Sequence, residues 1–205
     1  MSPRRYTMRQ RAATQDATRE RIVAAALDAY GEHGVRGTSM LEVARRAGVA
    51  HGTVTNNFAT PDALTRAVIA GLIEEIEIPA VSVLDGAAGL DDRIDRFVTA
   101  VFACYDRGTA WYDLFRNELG QVPALVEGEA QFWALIGPLY PAAFGPLLDD
   151  ERLRAAVFGL TSPGTLSSLT NAGSTLDDAT RLIVLALQGW ARIVEVADQG
   201  MARSS

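Results

Sequence analysis

Cysteine is almost absent: the 205 residues contain one, Cys104, so no disulfide can close within the chain. With only two histidines, His33 and His51, a Cys/His zinc cluster cannot be assembled, and no metal or other cofactor is expected. Lysine is missing altogether, since all 19 basic residues are arginine; we read this as a codon habit rather than a binding adaptation. No apolar run reaches the ~18 residues that span a bilayer, because Leu182–Leu187 is soon followed by Gln188 and Arg192. No membrane contact is expected. The charged stretch Met1–Arg11 lacks the apolar segment of a secretory leader, and a cytoplasmic location is expected. Phosphate loops, nucleophile elbows and metal-ligand spacings are also missing. The pair Asp149 and Asp150 reads as a helix cap, so an enzyme is not expected.

What is present is enough apolar material for a real core, 48% of residues, under a net charge of −6. The charge is unevenly spread. Residues 1–50 hold nine arginines against five acids, and residues 51–205 hold ten against twenty. A basic first quarter on an acidic remainder suggests that one part meets a polyanion and the rest does something else.

Strand alternation and hairpin turns are missing too, and the fold class expected is all-α. From Thr18, the positions Ile22, Val23, Ala26, Leu27 and Tyr30 recur with helical spacing until Gly34 stops the helix. Ser39 and Glu42 have capping-box spacing and predict a helix over about Met40–Ala47, with Leu41, Val43 or Ala44, and Ala47 inward. Gly48 suits a tight left-handed turn, and a short helix over about Ala50–Asn57 follows, with Val54 and Phe58 inward. Thr60-Pro61-Asp62 starts a fourth helix, which carries Leu64, Val68, Leu72 and Ile76 inward and stops before Pro79.

Two short helices joined by a glycine turn, behind a longer supporting helix, describe a helix-turn-helix whose second helix enters the DNA major groove. Gly37-Thr38-Ser39-Met40, Val43-Ala44-Arg45-Arg46-Ala47-Gly48-Val49, Gly52-Thr53-Val54 and Phe58 resemble the N-terminal domain of the tetracycline-repressor (TetR) family. The resemblance covers about Thr18–Leu72. It implies a dimeric transcription regulator, usually a repressor, whose C-terminal domain binds a small molecule and thereby releases DNA. The family pattern commonly has a Ser and a basic residue at the start of the recognition helix, then a Tyr and a His before the closing Phe. This chain has Ala50, His51, Thr55 and Asn57 instead, and Pro61 where members often place a Lys. The DNA-binding candidates are Arg4, Arg5, Thr38, Ser39, His51, Gly52, Thr53, Thr55, Asn56 and Asn57. Asn pairs bidentately with adenine and Thr meets a thymine methyl or a phosphate. The basic tail Arg4, Arg5, Arg9 and Arg11 is expected to lie along the phosphates or in a minor groove. Arg45 and Arg46 read equally as phosphate contacts or as a solvated face, and His33 as a structural residue at a helix end.

The expected division is a DNA-binding domain over residues 1–60 and a ligand-binding and dimerisation domain over 61–205, with 61–78 as a connector helix and about nine helices in all. In the larger domain, helices are expected over Asp91–Tyr105, Thr109–Leu119 and Val122–Ile136. Ser82–Leu90 and the proline-rich Gly137–Leu148 are expected to be irregular, and two helical segments follow, Asp150–Ala172, interrupted at Ser162-Pro163-Gly164, and Leu176–Ala197. Of fifteen aromatics, twelve fall here. From a larger set that includes Phe102, Tyr112, Tyr140, Phe144 and Phe158, the residues Phe97, Tyr105, Trp111, Phe115, Phe132 and Trp133 are the effector-site candidates, for an apolar or aromatic and possibly planar effector. Plain core packing is the competing reading. Cys104 is expected to be a buried small hydrophobe.

The dimer-interface candidates are Val157, Leu160, Leu182, Ala186, Gly189, Trp190 and Ile193, drawn from the last two segments, which in the family pack into a four-helix homodimer interface. Such a dimer spaces two recognition helices about 34–36 Å apart, or a multiple of that, for a palindromic operator in double-stranded DNA. The alternative is a dimeric small-molecule-binding or protein-binding protein with a degenerate DNA-binding head. Deleting residues 2–11 is expected to weaken DNA binding and flatten its salt dependence, measured by anisotropy titration; an unchanged slope removes the tail from the interface.

Overall fold

The computed structural model describes the backbone of residues 3–202 and the side chains of residues 13–194. It contains ten α-helices, two 3₁₀ turns and, among the described residues, no strand. No described helix is long and apolar enough to cross a membrane, and no described cluster of His, Cys, Asp and Glu could hold a metal ion. The chain forms two compact units, Met1–Ile73 with Asp113–Ala130, and Glu74–Tyr112 with Gln131–Ser205. The units are drawn differently from the expected division at residue 60, because the first also takes in most of the fourth helix and a later segment.

The first unit starts with α1 (Pro3–Gly37), which begins well before the expected Thr18. Its buried stripe, Ile22, Ala25, Ala26, Ala29 and Tyr30, has helical spacing, and burying each large member contributes roughly 1.5–3 kcal/mol. The helix breaks at Gly34, where φ is 72° and ψ 169°, a region open to little but glycine. The break frees the next two amides. Both donate to the Glu118 carboxylate, Val35 N–H at 2.6 Å and Arg36 N–H at 3.1 Å, while the Arg36 guanidinium meets the Gln121 amide oxygen at 2.6 Å. Then come α2 (Met40–Ala47), α3 (His51–Asn57) and α4 (Pro61–Glu75). Ser39 Oγ accepts from the Glu42 amide and Thr60 Oγ1 from the Ala63 amide, each at 3.1 Å, so both expected caps form.

Leu41 does not face inward. It is 66% exposed, while Val43 and Ala44 take the inner face at 1% and 2%. A helix of eight residues offers one narrow inner stripe, and that stripe runs through 43 and 44. Around it the unit buries Val54, Phe58, Leu64, Val68 and Leu72. Tyr30 donates to Thr65 Oγ1 at 2.9 Å, whose own proton goes to the Pro61 carbonyl. The Phe115 ring meets Tyr30 edge-on at 6.4 Å.

The second unit is built on α5 (Leu90–Phe115), one helix where two were expected. Gly108 is no stop: a Cβ there would lie 3.2 Å from Ile76 Cδ1, so it is a close contact inside a continuous helix. After α6 (Pro123–Ile136) comes α7 (Leu139–Phe144) in the stretch expected to be irregular. Pro141 sits in its first turn, where amides have no intrahelical partner and a missing N–H costs nothing. A 3₁₀ turn also occupies Val81–Leu84, overlapping the start of the expected loop. The segment after Asp150 is two helices, α8 (Glu151–Leu160) and α9 (Pro163–Asn171), capped by Asp150 and Ser162. The last, α10 (Leu176–Ala202), outruns its expected end. Ile94, Phe97, Val101, Phe102 and Tyr105 of α5 form the core with Ile136, Tyr140, Phe144, Leu153, Val157, Ile183 and Leu187.

Gly34→Ala should destabilise the protein by ~1–3 kcal/mol, since the new Cβ would lie 3.1–3.3 Å from the Glu118 carboxylate at a positive φ. Urea unfolding monitored by circular dichroism checks this.

Candidate nucleic-acid interface

The helix-turn-helix is closed by Gly48 at φ 64° and ψ 36°, whose N–H donates to the Ala44 and Arg45 carbonyls. Beyond it α3 begins at Ala50, which offers no side-chain cap. Val54 and Phe58 point into the unit, as their spacing predicts. The opposite face presents His51, Gly52, Thr55 and Asn56 exposed, with Thr53 and Asn57 half-buried.

Not all of these side chains are free to read bases. Thr55 Oγ1 donates back to the Gly52 carbonyl at 3.2 Å, and Asn57 Nδ2 to the Thr53 carbonyl at 2.8 Å. Thr38 Oγ1 is held by the Gly34 carbonyl at 2.7 Å, and Ser39 caps α2. His51, Thr53 and Asn56 keep their polar groups outside these local bonds. The side chains of Arg4 and Arg5, and of Arg9 and Arg11, lie outside the described residues.

The Arg45 side chain is 71% exposed and that of Arg46 18%, and both are ion-paired within the head. Arg46 Nε donates to Glu42 at 2.7 Å and its Nη1 to Glu32 at 2.7 Å, tying α2 to α1. Arg45 chelates Glu42 through Nε and Nη2, at 3.0 and 2.7 Å. Hydrogen bonds from Arg45, then Arg46, hold the Glu42 carboxyl down at about 2, and Arg46 lowers Glu32 in the same way. His33 Nε2 lies 3.4 Å from Arg46 Nη2, so it joins this network. Half of the expected capping box is given up to it, since the Glu42 carboxylate turns to the arginines.

Sequence reading overlooked Arg19. From α1 its guanidinium carbon lies 4.3 Å from the centroid of the Phe58 ring, and its Nη1 donates to the Asn57 carbonyl at 3.3 Å. The contact joins residues 38 positions apart, and no local pattern announces it.

Four of the six effector candidates gather in the second unit. Phe132 meets Tyr105 at 6.1 Å and Trp133 at 6.2 Å, Phe97 packs edge-on against Tyr140 at 4.9 Å, and Tyr140 stacks on Phe158 at 4.5 Å. Phe115 belongs instead to the first unit, against Tyr30, and Trp111 is half-buried outside these ring contacts. The Tyr105 hydroxyl is buried without a hydrogen-bond partner, and burial pushes its ionisation far up. Cys104 is a free, fully buried thiol whose pKa rises to about 11 through desolvation, matching the expected small hydrophobe. An open groove of about 620 Å³ between α5 and α10 is lined by Asp95, Thr99, Ala103, Arg181 and Leu185 among others, and by none of the six aromatics.

Of the dimer candidates, Val157 is corrected: it is 0% exposed and sits in the chain's own core. Leu160 is half-buried. On α10, Leu182, Leu185, Ala186, Gly189, Trp190 and Ile193 form one exposed stripe, opposite the buried Ile183, Leu187 and Ala191.

Residues 22–68 match the family "Bacterial regulatory proteins, tetR family", a span that includes the helix-turn-helix. No curated protein matches the chain. Among solved structures, an HlyIIR mutant shares 16% identity at a TM-score of 0.60, covering 83% of this chain and 96% of that one. The multidrug binding protein EbrR in complex with imidazole shares 24% at 0.55, covering 82% and 93%. A transcriptional regulator from Rhodococcus sp. Rha1 shares 19% at 0.54, covering 83% and 94%. These likenesses extend the fold beyond the matched segment.

Because the Glu42 carboxyl is held at about 2, below its unfolded value, its contribution is complete above the ordinary carboxylate range. It is lost as pH falls toward about 2. Glu42→Gln should lower the Tm near neutral pH and reduce its fall under acid, a comparison made by calorimetry across that range.

Proposed function

We propose that this chain, which over residues 22–68 belongs to the tetR family of bacterial regulatory proteins, is a ligand-responsive transcriptional repressor acting in the cytoplasm. The observation that carries the reading is the two-sided α3 within a helix-turn-helix: Val54 and Phe58 anchor it while His51, Gly52 and Asn56 face outward. Thr53 stands half-buried beside them, and the backbone amide of Ser39 supplies a donor for phosphate at the start of α2, whereas that of Thr38 is held by the Val35 carbonyl at 3.3 Å. The outer face of α10 supports a homodimer, because exposed Leu182, Leu185, Trp190 and Ile193 are costly to leave in water. Two heads then meet a palindromic operator.

The effector we assign to the second unit is a small apolar or aromatic molecule. The support is the cluster of Phe97, Tyr105, Phe132 and Trp133 with Tyr140 and Phe158. The buried core around it contains no charged residue, which favours a neutral ligand. Thr161 donates to the Val157 carbonyl, so the Tyr140 hydroxyl, 3.3 Å away, donates to Thr161. Tyr105 has no acceptor at full hydrogen-bond geometry, only the Tyr140 hydroxyl oxygen beside it, and a carbonyl or ring nitrogen on the effector would supply a better one. EbrR, a neighbour in fold, was solved with imidazole bound. The signal has a route through the end of α4, where Arg107 of α5 donates to the Ile76 and Glu77 carbonyls at 2.8 and 2.9 Å. Glu77 is held there at a φ of 51°. Effector binding that favours one position of α4 over another changes the separation of the two heads.

A second reading, a ligand-binding or protein-binding dimer with a degenerate head, draws on Arg45 and Arg46, whose charges are spent on Glu42 and Glu32. Anisotropy titration against upstream duplexes at ~50 and ~200 mM salt separates the two. Selective, salt-sensitive binding is expected, and no binding at the lower salt favours the degenerate head. In sedimentation at micromolar concentration the protein should run as a dimer, and Leu185→Glu with Ile193→Glu as a monomer. Tyr105→Phe should leave the Tm unchanged or raise it, since it removes a polar group whose unmet burial costs about 1–3 kcal/mol, while weakening release of DNA by an acceptor-bearing aromatic.

A further inference from the structure

The recognition helix is seven residues long, its first end has no side-chain cap, and both Thr55 and Asn57 spend hydrogens on its own carbonyls. A helix this short does not hold its own position in water. Its inner face gives it two anchors, Val54 and Phe58, which lie on one line and leave it free to roll and slide about that line. Arg19 supplies the missing restraint. Its guanidinium carbon lies over the Phe58 ring, 4.3 Å from the centroid, and its Nη1 donates to the Asn57 carbonyl at 3.3 Å. The cation also sits at the negative end of the helix dipole, where it is favourable.

Resting on the DNA-binding reading, we propose that Arg19 is the positioning residue that sets the seating of α3 in the major groove and so the operator selectivity of the protein. It acts through Phe58 and Asn57, not through a phosphate. The contact needs a cation broad enough to lie over the ring and donate to the Asn57 carbonyl at the same time. A lysine ammonium has no such breadth, and keeps the charge while losing the geometry. Arg46 does the equivalent for α2 by joining Glu42 to Glu32; among the described arginines, Arg19 is the one that bonds to α3.

The test uses the full chain and the duplex that the wild-type protein selects from a random pool. Wild type, Arg19→Lys and Arg19→Met are compared for the ratio of selected to unselected duplex affinity and for the slope of log K against log salt. A positioning role loses roughly tenfold or more of the ratio in both variants and leaves the slope at the wild-type value. A phosphate contact behaves differently: lysine keeps both the ratio and the slope, and methionine reduces the slope by about 1 with the ratio intact. That result overturns the proposal, as does an unchanged ratio in both variants. Should the methionine variant unfold, Phe58→Leu keeps an apolar anchor without a ring face and is expected to lose selectivity as Arg19→Lys does; full selectivity in it also overturns the proposal. A wild-type protein that selects no duplex overturns the DNA reading and this inference together. A selective wild type with unchanged variants overturns this inference alone.

Discussion

A helix of two turns cannot keep its shape or its place in water by its own hydrogen bonds, because nucleation costs more than so few bonds return. The second helix of the helix-turn-helix, α3, is such a helix, and its place is held by its neighbours in the first unit. The buried face of α1 supplies a floor, Gly48 sets the angle at which α3 leaves α2, and Arg19 closes the far end over Phe58. Thr60 then starts α4 two residues beyond Phe58, so the chain leaves the reading helix directly into its next rigid element.

Charge in the first unit is used for geometry. Arg45 and Arg46 add to the positive count of the first fifty residues, yet both are neutralised at Glu42 and Glu32. Arg36 spends hydrogens on Gln121 and Arg66 on Glu127, which ties the segment Asp113–Ala130 to the rest of its unit. Exposed pairs of this kind contribute little each to stability. Their value is directional, because a guanidinium that bridges two carboxylates on different helices fixes the angle between them.

Much of this was legible from short-range chemistry. Ser39 and Thr60 cap where an isolated stretch of sequence says they should, Gly48 turns, and the inward pair Val54 and Phe58 follows from a spacing of four. The exposed stripe of α10 was legible for the same reason, as a periodic pattern within one helix. Failures came where two readings were locally equal. Leu41 and Val43 are both apolar in an eight-residue helix, and only the position of α1 decides that Val43 is covered. The break expected between Tyr105 and Thr109 does not occur, and Gly108 there packs against Ile76 inside one helix. Pro141 breaks a helix anywhere but the first turn, and the start of α7 cannot be read from prolines alone. Val157 has the apolar character of an interface residue and lies in the core instead.

By itself the sequence determined the helical class, the caps, the turn and the two-sided character of α3, because each depends on residues within about four positions of one another. Tertiary structure alone decided which charges were already spent, which aromatics shared a cluster and what held the reading helix in place. Arg19 and Asn57 are 38 residues apart, and Val35 and Glu118 are 83 apart. Contacts over such separations arise only when the packing of several helices brings their ends together, and the local pattern around either partner does not encode the other.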